Sequence, residues 1–165
     1  VSAMPLPFGA RSFPAGAILV TTVLAALLSG CGRYMKLDGS IGRVRVVETG
    51  SPRNVLVVEF EVTNTASVPY VVKEAELEIP VGGGTEKGDT VAVQDALTLC
   101  RHMASLNNDC AQPLTAREAI APGATVRRMV AASFAKTAKE LRERPGLLLR
   151  IRELDRMETE LREKK

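Results

Sequence analysis

Apolar and polar residues alternate over several short stretches of the chain, and this alternation predicts β-strands. The clearest stretch is 55–63. One of its faces is wholly apolar and consists of Leu56, Val58, Phe60 and Val62. The other face carries Val55, Val57, Glu59 and Glu61. Because successive side chains of a strand point to opposite faces, the wholly apolar face should meet the core.

Weaker alternation predicts further strands, and glycine, proline and asparagine mark the turns between them. These strands are expected at 41–48, 70–79, 90–94, 114–120, 125–132 and 147–153. Residues 95–106 fit two interpretations. Leu99, Met103 and Leu106 have helical spacing, and Asp95 is a suitable N-cap, but a strand remains open.

The end of the chain carries helical signals. Ser133 is a candidate N-cap, and Phe134, Ala138 and Leu141 form one apolar stripe, which Pro145 and Gly146 should end. After the last strand, residues 154–165 are predicted to form a charged helical tail, with Glu158/Arg162 and Glu160/Lys164 spaced i, i+4. The alternative is a single helix from Leu147 to the end.

Composition fits one modest domain. The chain has 165 residues, of which 45% are hydrophobic and 4% aromatic, with no Trp, so aliphatic side chains must build the core. The many short strands predict a mainly β fold, an antiparallel β-sandwich with one short helix before the last strand. The net charge is only +3 and both signs are mixed along the chain, which argues against a nucleic-acid role.

The first 30 residues have the parts of a secretory signal. Arg11 precedes an uncharged stretch at 14–28, and small residues follow. The junction Leu28-Ser29-Gly30-Cys31 resembles a lipobox. The division expected is a lipoprotein signal peptide at 1–30, a tether at 31–40, a β-sandwich domain at 41–153 and the tail at 154–165. An ordinary signal, or an uncleaved anchor, is the alternative.

The lipobox resemblance implies that the thiol of Cys31 receives a diacylglycerol and that a peptidase cuts before it. Two or three acyl chains would hold the protein durably on a membrane, because one chain alone binds only marginally. In Gram-negative lipoproteins an Asp after the cysteine signals inner-membrane retention. Gly32 and Arg33 follow here. By this resemblance the protein is expected on the periplasmic side of the outer membrane.

Three cysteines are present, and lipid on Cys31 would leave Cys100 and Cys110 as a pair. Export to an oxidising compartment then predicts a disulfide between them. The competing interpretation is a Cu(I) site built from Cys100, His102, Met103 and Cys110. The single histidine and the spacing match no zinc pattern, so no metal and no cofactor are predicted.

No catalytic residue is predicted. His102 and Ser105 lie close in sequence, but nothing around them resembles a nucleophile elbow. The Gly82–Gly84 stretch follows a strand, which favours a hairpin turn over a phosphate-binding loop. Glu74, Glu76 and Glu78 share one strand face, where a solvated row is the expectation and paired acid–base carboxylates are the alternative.

Two stretches resemble small immunoglobulin-like domains of bacterial lipoproteins. They are Val57-Val-Glu-Phe-Glu-Val-Thr-Asn64, followed by Val68-Pro69, and Ala121-Pro-Gly-Ala-Thr-Val126. The family they are most similar to is the group-2 late-embryogenesis-abundant type, also called the water-stress and hypersensitive-response domain. The resemblance spans residues 41–153 and implies binding or protective roles.

A non-catalytic interaction module with an envelope protein partner is therefore expected, held on the membrane through Cys31. The alternatives are a periplasmic binding protein for a small or apolar ligand and, third, an envelope hydrolase or redox enzyme.

Overall fold

The computed structural model describes residues 36–50, 52–155 and 157–164. Its strands are β1 (Leu37–Val47), β2 (Asn54–Asn64), β3 (Tyr70–Val81), β4 (Gly84–Lys87), β5 (Asp89–Thr90), β6 (Ala119–Ile120), β7 (Thr125–Phe134), β8 (Leu148–Glu153) and β9 (Glu158–Arg162). Its helices are α1 (Val93–His102), a 3-10 turn (Ala104–Leu106) and α2 (Ala138–Glu143).

The strands form two antiparallel sheets, so the prediction of a mainly β fold is confirmed. Sheet one has the order β1-β2-β7-β5, and sheet two has the order β4-β3-β8-β9. The short β6 pairs with the beginning of β3. β2 is paired along both edges, with β1 on one side and β7 on the other. It is therefore one of the two inner strands of sheet one, as its continuous apolar character suggests.

The two sheets pack against each other over one apolar core. From β2 it receives Leu56, Val58, Phe60 and Val62, all at most 1% exposed. Sheet two contributes Leu77, Ile79, Leu149 and Ile151. The face that the alternation in β2 assigned to the core is thus confirmed.

The opposite face of sheet one is also covered. Val55 and Val57 of β2 are buried beneath α1 and the 3-10 turn, together with Ala96, Cys100 and Leu106. The segment whose structure the sequence left open is therefore helical over most of its length. α1 begins at Val93, and Asp95 lies in its first turn rather than at its N-cap.

The helix before the last strand is shorter than predicted, and Ser133 does not cap it. Ser133 and Phe134 instead continue β7, because Phe134 stays in register with Asn54 of β2 and its ring is buried in the core. The cap of α2 is Thr137, whose hydroxyl accepts a hydrogen bond from the Glu140 amide while the Glu140 carboxylate accepts one from the Thr137 amide.

The prediction of a charged helical tail at 154–165 is wrong, and so is the alternative of one helix from Leu147 onward. Residues Glu158–Arg162 form β9, which pairs antiparallel with β8 from Leu148 to Arg152. The reason is burial: as a strand, the segment directs Thr159 and Leu161 inward and its charged residues outward.

Three other expected boundaries also move. The expected tether reaches residue 40, but β1 already begins at Leu37, whose amide donates to the Thr159 hydroxyl at 3.0 Å. Of the strand expected at 114–120 only β6 forms, and the strand expected at 90–94 gives way to α1 after Thr90. The expected signal peptide, and the tether up to residue 35, lie outside the described residues.

Candidate functional site

A groove opens where the chain leaves sheet two for sheet one. β4 runs beside β3 as far as Lys87, and the next amide, that of Gly88, donates to the Leu77 carbonyl at 2.9 Å. Asp89 and Thr90 then pair with β7 in the other sheet. A Cβ on Gly88 would lie 2.5 Å from the Cζ atom of Phe134, so the crossing needs glycine.

The groove lies between the edge of β3 and the edge of β7 and has a volume of about 370 Å³. Its lining is mainly alkyl: Ala75, Val91, Ala96, Leu114, Met129 and Val130 all contribute. Such a surface binds apolar groups by removing them from water, at roughly 25 cal/mol per Å² of apolar area buried.

Charged residues form the rim of the groove. Lys73 and Glu74 are 3.9 Å apart, and Lys87 forms an ion pair with Glu76. The two lysine side chains are more than half exposed, whereas the Glu76 side chain is only 6% exposed. An apolar floor with a charged rim is typical of surfaces that hold one part of a larger partner.

The two walls of the groove are hydrogen-bonded to nearby residues of β7. On one side the Val91 amide donates to the Ala131 carbonyl at 2.9 Å. On the other, Met129 exchanges hydrogen bonds with Gln112 and Leu114, at 2.9 and 2.8 Å. Val91 leads into α1, which contains Cys100, and Cys110 lies just before Gln112. A disulfide joins these two cysteines, with their Cα atoms 6.2 Å apart.

The row of Glu74, Glu76 and Glu78 is not simply solvated, because arginines of β8 lie beside it. Arg152 contacts Glu74 at 3.2 Å and Glu76 at 3.3 Å, and Arg150 contacts Glu78 at 3.0 Å. These contacts continue to β9, where Glu158 accepts from both arginines. Hydrogen bonds from Arg152 are the main reason that the pKa of Glu158 is lowered. The row therefore takes part in charge pairing across strands.

A second charged cluster, which the sequence analysis missed, lies on the outer face of sheet one. Glu59 is 2% exposed, yet it carries a carboxylate. Arg45 reaches its Oε1 atom at 2.5 Å, and Arg127 pairs with its Oε2 atom. Arg45 also donates to the carbonyls of Leu106 and Asp109 and so fastens the disulfide loop to the sheet. The alternation of β1 and β2, which places Arg45 opposite Val57, gave no direct signal of this pairing.

One inward-facing carboxylate also escaped prediction. Glu153 ends β8 on the same face as Leu149 and Ile151 and is 3% exposed. Burial raises its pKa, and its Oε2 atom has no hydrogen-bond partner among the described residues. Burial likewise raises the pKa of nearby Tyr70 to about 12, and the Tyr70 hydroxyl donates to the Ile151 carbonyl. The alternation in β8 points to this inward position.

The other residues singled out in the sequence are distributed as follows. Cys100 and Cys110, the predicted pair, are joined as a disulfide, so neither offers a thiolate for the alternative Cu(I) site. His102 and Ser105 are exposed. Gly82 and Gly83 form the turn of the β3–β4 hairpin. Leu28, Ser29, Gly30 and Cys31 lie outside the described residues.

In the described part of the chain, residues 36–164 without 51 and 156, no three or more His, Cys, Asp or Glu side chains are grouped so that they could hold a metal ion. Neither α1 nor α2, nor any other helix in that part, is long and apolar enough to cross a bilayer.

Comparison with known protein families gives no match, and comparison with curated proteins gives none. Among solved structures, the chain is similar to a protein from Bordetella pertussis that carries the provisional name ApaA. The two are 17% identical, with a TM-score of 0.32, over 79% of this chain and 91% of that one. So distant a likeness carries no functional information.

Proposed function

We propose that this protein is a lipid-anchored, non-catalytic binding module of the bacterial envelope. In this proposal, the groove between β3 and β7 receives an apolar part of a partner protein. The observation that carries the proposal is the groove itself, with its alkyl floor and charged rim. Because the rim carboxylates are engaged with lysine and arginine, binding explains the arrangement better than catalysis does.

The anchor in this proposal is diacylglycerol on Cys31, and the location is the periplasmic side of the outer membrane. Its support is the lipobox-like Leu28-Ser29-Gly30-Cys31 after an uncharged apolar stretch, with no Asp following the cysteine. Two or three acyl chains would bind the membrane far more tightly than one. A single module on such an anchor would stay close to partners in the same membrane.

The fold in this proposal is an immunoglobulin-like sandwich of the group-2 late-embryogenesis-abundant type. It is supported by two antiparallel sheets that share one core, which is mainly aliphatic. A fold does not by itself imply a function, so the role assigned here rests on the groove.

The test uses a photo-crosslinking amino acid in the full chain, expressed in its own cells. The residue is placed at Ala116, which lines the groove, or as a matched control at the exposed Arg162 of β9. We expect a discrete crosslinked protein from Ala116 only. Cys31→Ser should yield a protein that keeps residues 1–30 and carries no acyl chains, as its intact mass would show, and should remove that crosslink. Equal crosslinking from both positions, or an original protein whose intact mass shows no acyl chains, would contradict the proposal.

A second candidate is a free apolar ligand, because the groove lies within the size range of small-molecule sites, roughly 300–1,000 Å³. Native mass spectrometry of the protein extracted in mild detergent distinguishes the two. A bound small molecule that is lost when Ala96→Phe fills the floor would favour the free ligand. A protein partner with no such molecule would favour the interaction module.

A further inference from the structure

The edge of β3 is open at one residue, and that residue faces the groove. In an antiparallel ladder, residues two apart direct their backbone groups to the same side. The Leu77 carbonyl accepts from Gly88 on the side away from β8. Ala75, two residues earlier, therefore directs its amide and its carbonyl to that side as well, and its side chain lines the groove.

Within residues 36–50, 52–155 and 157–164, no strand lies beside Ala75 on that side. β4 has ended at Lys87, and the chain has crossed to β7. β6 pairs only with Tyr70 and Val71, and the backbone of Val72 is bonded to Arg117 and Glu118. The gap is thus centred on Ala75 and lies between the Leu77 carbonyl and the backbone of Val72, both of which are hydrogen-bonded. It presents one hydrogen-bond donor and one acceptor above an apolar floor.

Charges on the outer face of sheet two alternate from strand to strand. β9 carries Glu158 and Glu160, and β8 carries Arg150 and Arg152. β3 carries Glu74 and Glu76, and β4 carries Lys87. β4 stops short of Glu74, so beside the gap the last row is the acidic row of β3, whose Glu74 and Glu76 already pair with Lys73, Lys87 and Arg152. A strand that entered the gap would continue the pattern if its outward side chains were basic.

We propose that the groove binds an extended peptide segment of the partner, which adds to β3 as a short antiparallel strand opposite Ala75. The central residue of the segment exchanges two backbone hydrogen bonds with Ala75 and places an apolar side chain on the floor near Leu114 and Val130. Its two neighbours are basic and lie beside Glu74 and Glu76. This inference rests on the proposed function and names the chemistry of the partner.

The test is an NMR titration of the full isotope-labelled protein in detergent with acetyl-Thr-Lys-Leu-Lys-Thr-amide. We expect the Ala75 amide and the Leu114 methyl signals to shift in a saturable manner. Methylation of the central leucine nitrogen removes the donor to the Ala75 carbonyl and should weaken binding about tenfold. Replacing both lysines of the peptide by glutamate should weaken it by a similar factor, because the new charges would lie beside Glu74 and Glu76.

Two protein variants test the same hydrogen bonds from the other side. Ala75→Pro removes the amide donor, which points away from β8, and should abolish the shift at Leu114. Ala75→Ser keeps the amide and should bind as the original protein does. If Ala75→Pro fails to fold, the methylated peptide still decides the matter, since it leaves the protein unchanged.

Unchanged affinity of the methylated peptide, equal binding of the glutamate peptide, or shifts caused by decanoate but not by the lysine peptide would each overturn strand addition. None of these outcomes would by itself contradict the proposed function, which the crosslinking experiment tests. A groove-specific crosslink that depends on Cys31 can persist even if the peptide chemistry is wrong.

Discussion

Arg45 of β1 and Glu59 of β2 form an ion pair, Nη2 to Oε1 at 2.5 Å, on a face of sheet one that is mostly covered by protein. The side chains are 15% and 2% exposed. A buried carboxylate is stabilised only when it is paired, and here the same guanidinium also ties the disulfide loop to the sheet through the Leu106 and Asp109 carbonyls. This pair therefore couples the sheet to the segment that forms one wall of the groove.

Glu59→Gln should lower the free energy of unfolding by about 3 kcal/mol, because Arg45 would be left largely buried without its counter-charge. Glu61→Gln is the matched control two residues along β2, where the side chain is exposed. It should change the free energy of unfolding by less than about 0.5 kcal/mol. Urea unfolding of both variants measures the difference. Equal stabilities of the two would mean that the buried pair contributes little.

Glu153→Gln should change how stability depends on pH. Burial raises the pKa of Glu153 in the folded protein above its unfolded value, so its favourable contribution is complete below the unfolded pKa, roughly 4.3. That contribution is lost as the pH rises through the folded pKa. The variant should therefore gain stability relative to the original protein as the pH increases from about 4 to 8.

The measurement is the free energy of unfolding at several pH values in that window. Glu143→Gln serves as the control, because this glutamate is exposed at the end of α2. A Glu153→Gln curve that runs parallel to the original one would show that the buried carboxyl does not titrate in this range.

Removing the disulfide with Cys100→Ser and Cys110→Ser should cost about 3 kcal/mol, since the closed loop is short. The loss of stability should affect α1, which covers the outer face of sheet one, before it affects β2. Hydrogen exchange resolves this: amides of α1 should lose protection before those of β2. Reduction of the original protein should reproduce the pattern. An equal loss of amide protection in α1 and β2 would show that the disulfide does not stabilise α1 in particular.

Gly88→Ala should destabilise the protein by about 2 kcal/mol, because the new methyl group would meet the ring of Phe134 at the crossing between the sheets. Gly82→Ala, where a Cβ meets nothing within 4 Å, should have little effect. Thermal unfolding compares them. If Phe134→Leu relieves part of the cost in a double variant, the ring is the cause. If Gly88→Ala and Gly82→Ala are equally stable, a clash with the Phe134 ring is excluded.

Local alternation predicted β2 well because it is bounded by turns and its core face is uniformly apolar. The same signal failed in the tail. There the i, i+4 charges of Glu158 and Arg162 suit a helix, while Thr159 and Leu161 suit a strand. Pairing with β8, a long-range interaction, decided between them. Likewise, the helical spacing that begins at Phe134 overlapped the last residues of a strand whose register is set by β2.

The groove could not be predicted from any local pattern. It exists because the chain changes sheets after Gly88, and because Pro113 and Leu114 lie beside Met129, a later residue of β7. The buried Glu59 was unpredictable for a related reason. Its three arginine neighbours come from two other strands, and a single glutamate on a strand gives no sign of them.

The first residues of β1 and the groove lie at opposite edges of sheet one. Leu37 is fixed to Thr159 beside β9, whereas β5 forms the far edge. Three inter-strand steps separate β1 from β5, a distance of about 14 Å. Within the described residues, the first strand and the groove are therefore separate ends of one sheet. A guest at the far edge would leave β1 and its contact with Thr159 untouched.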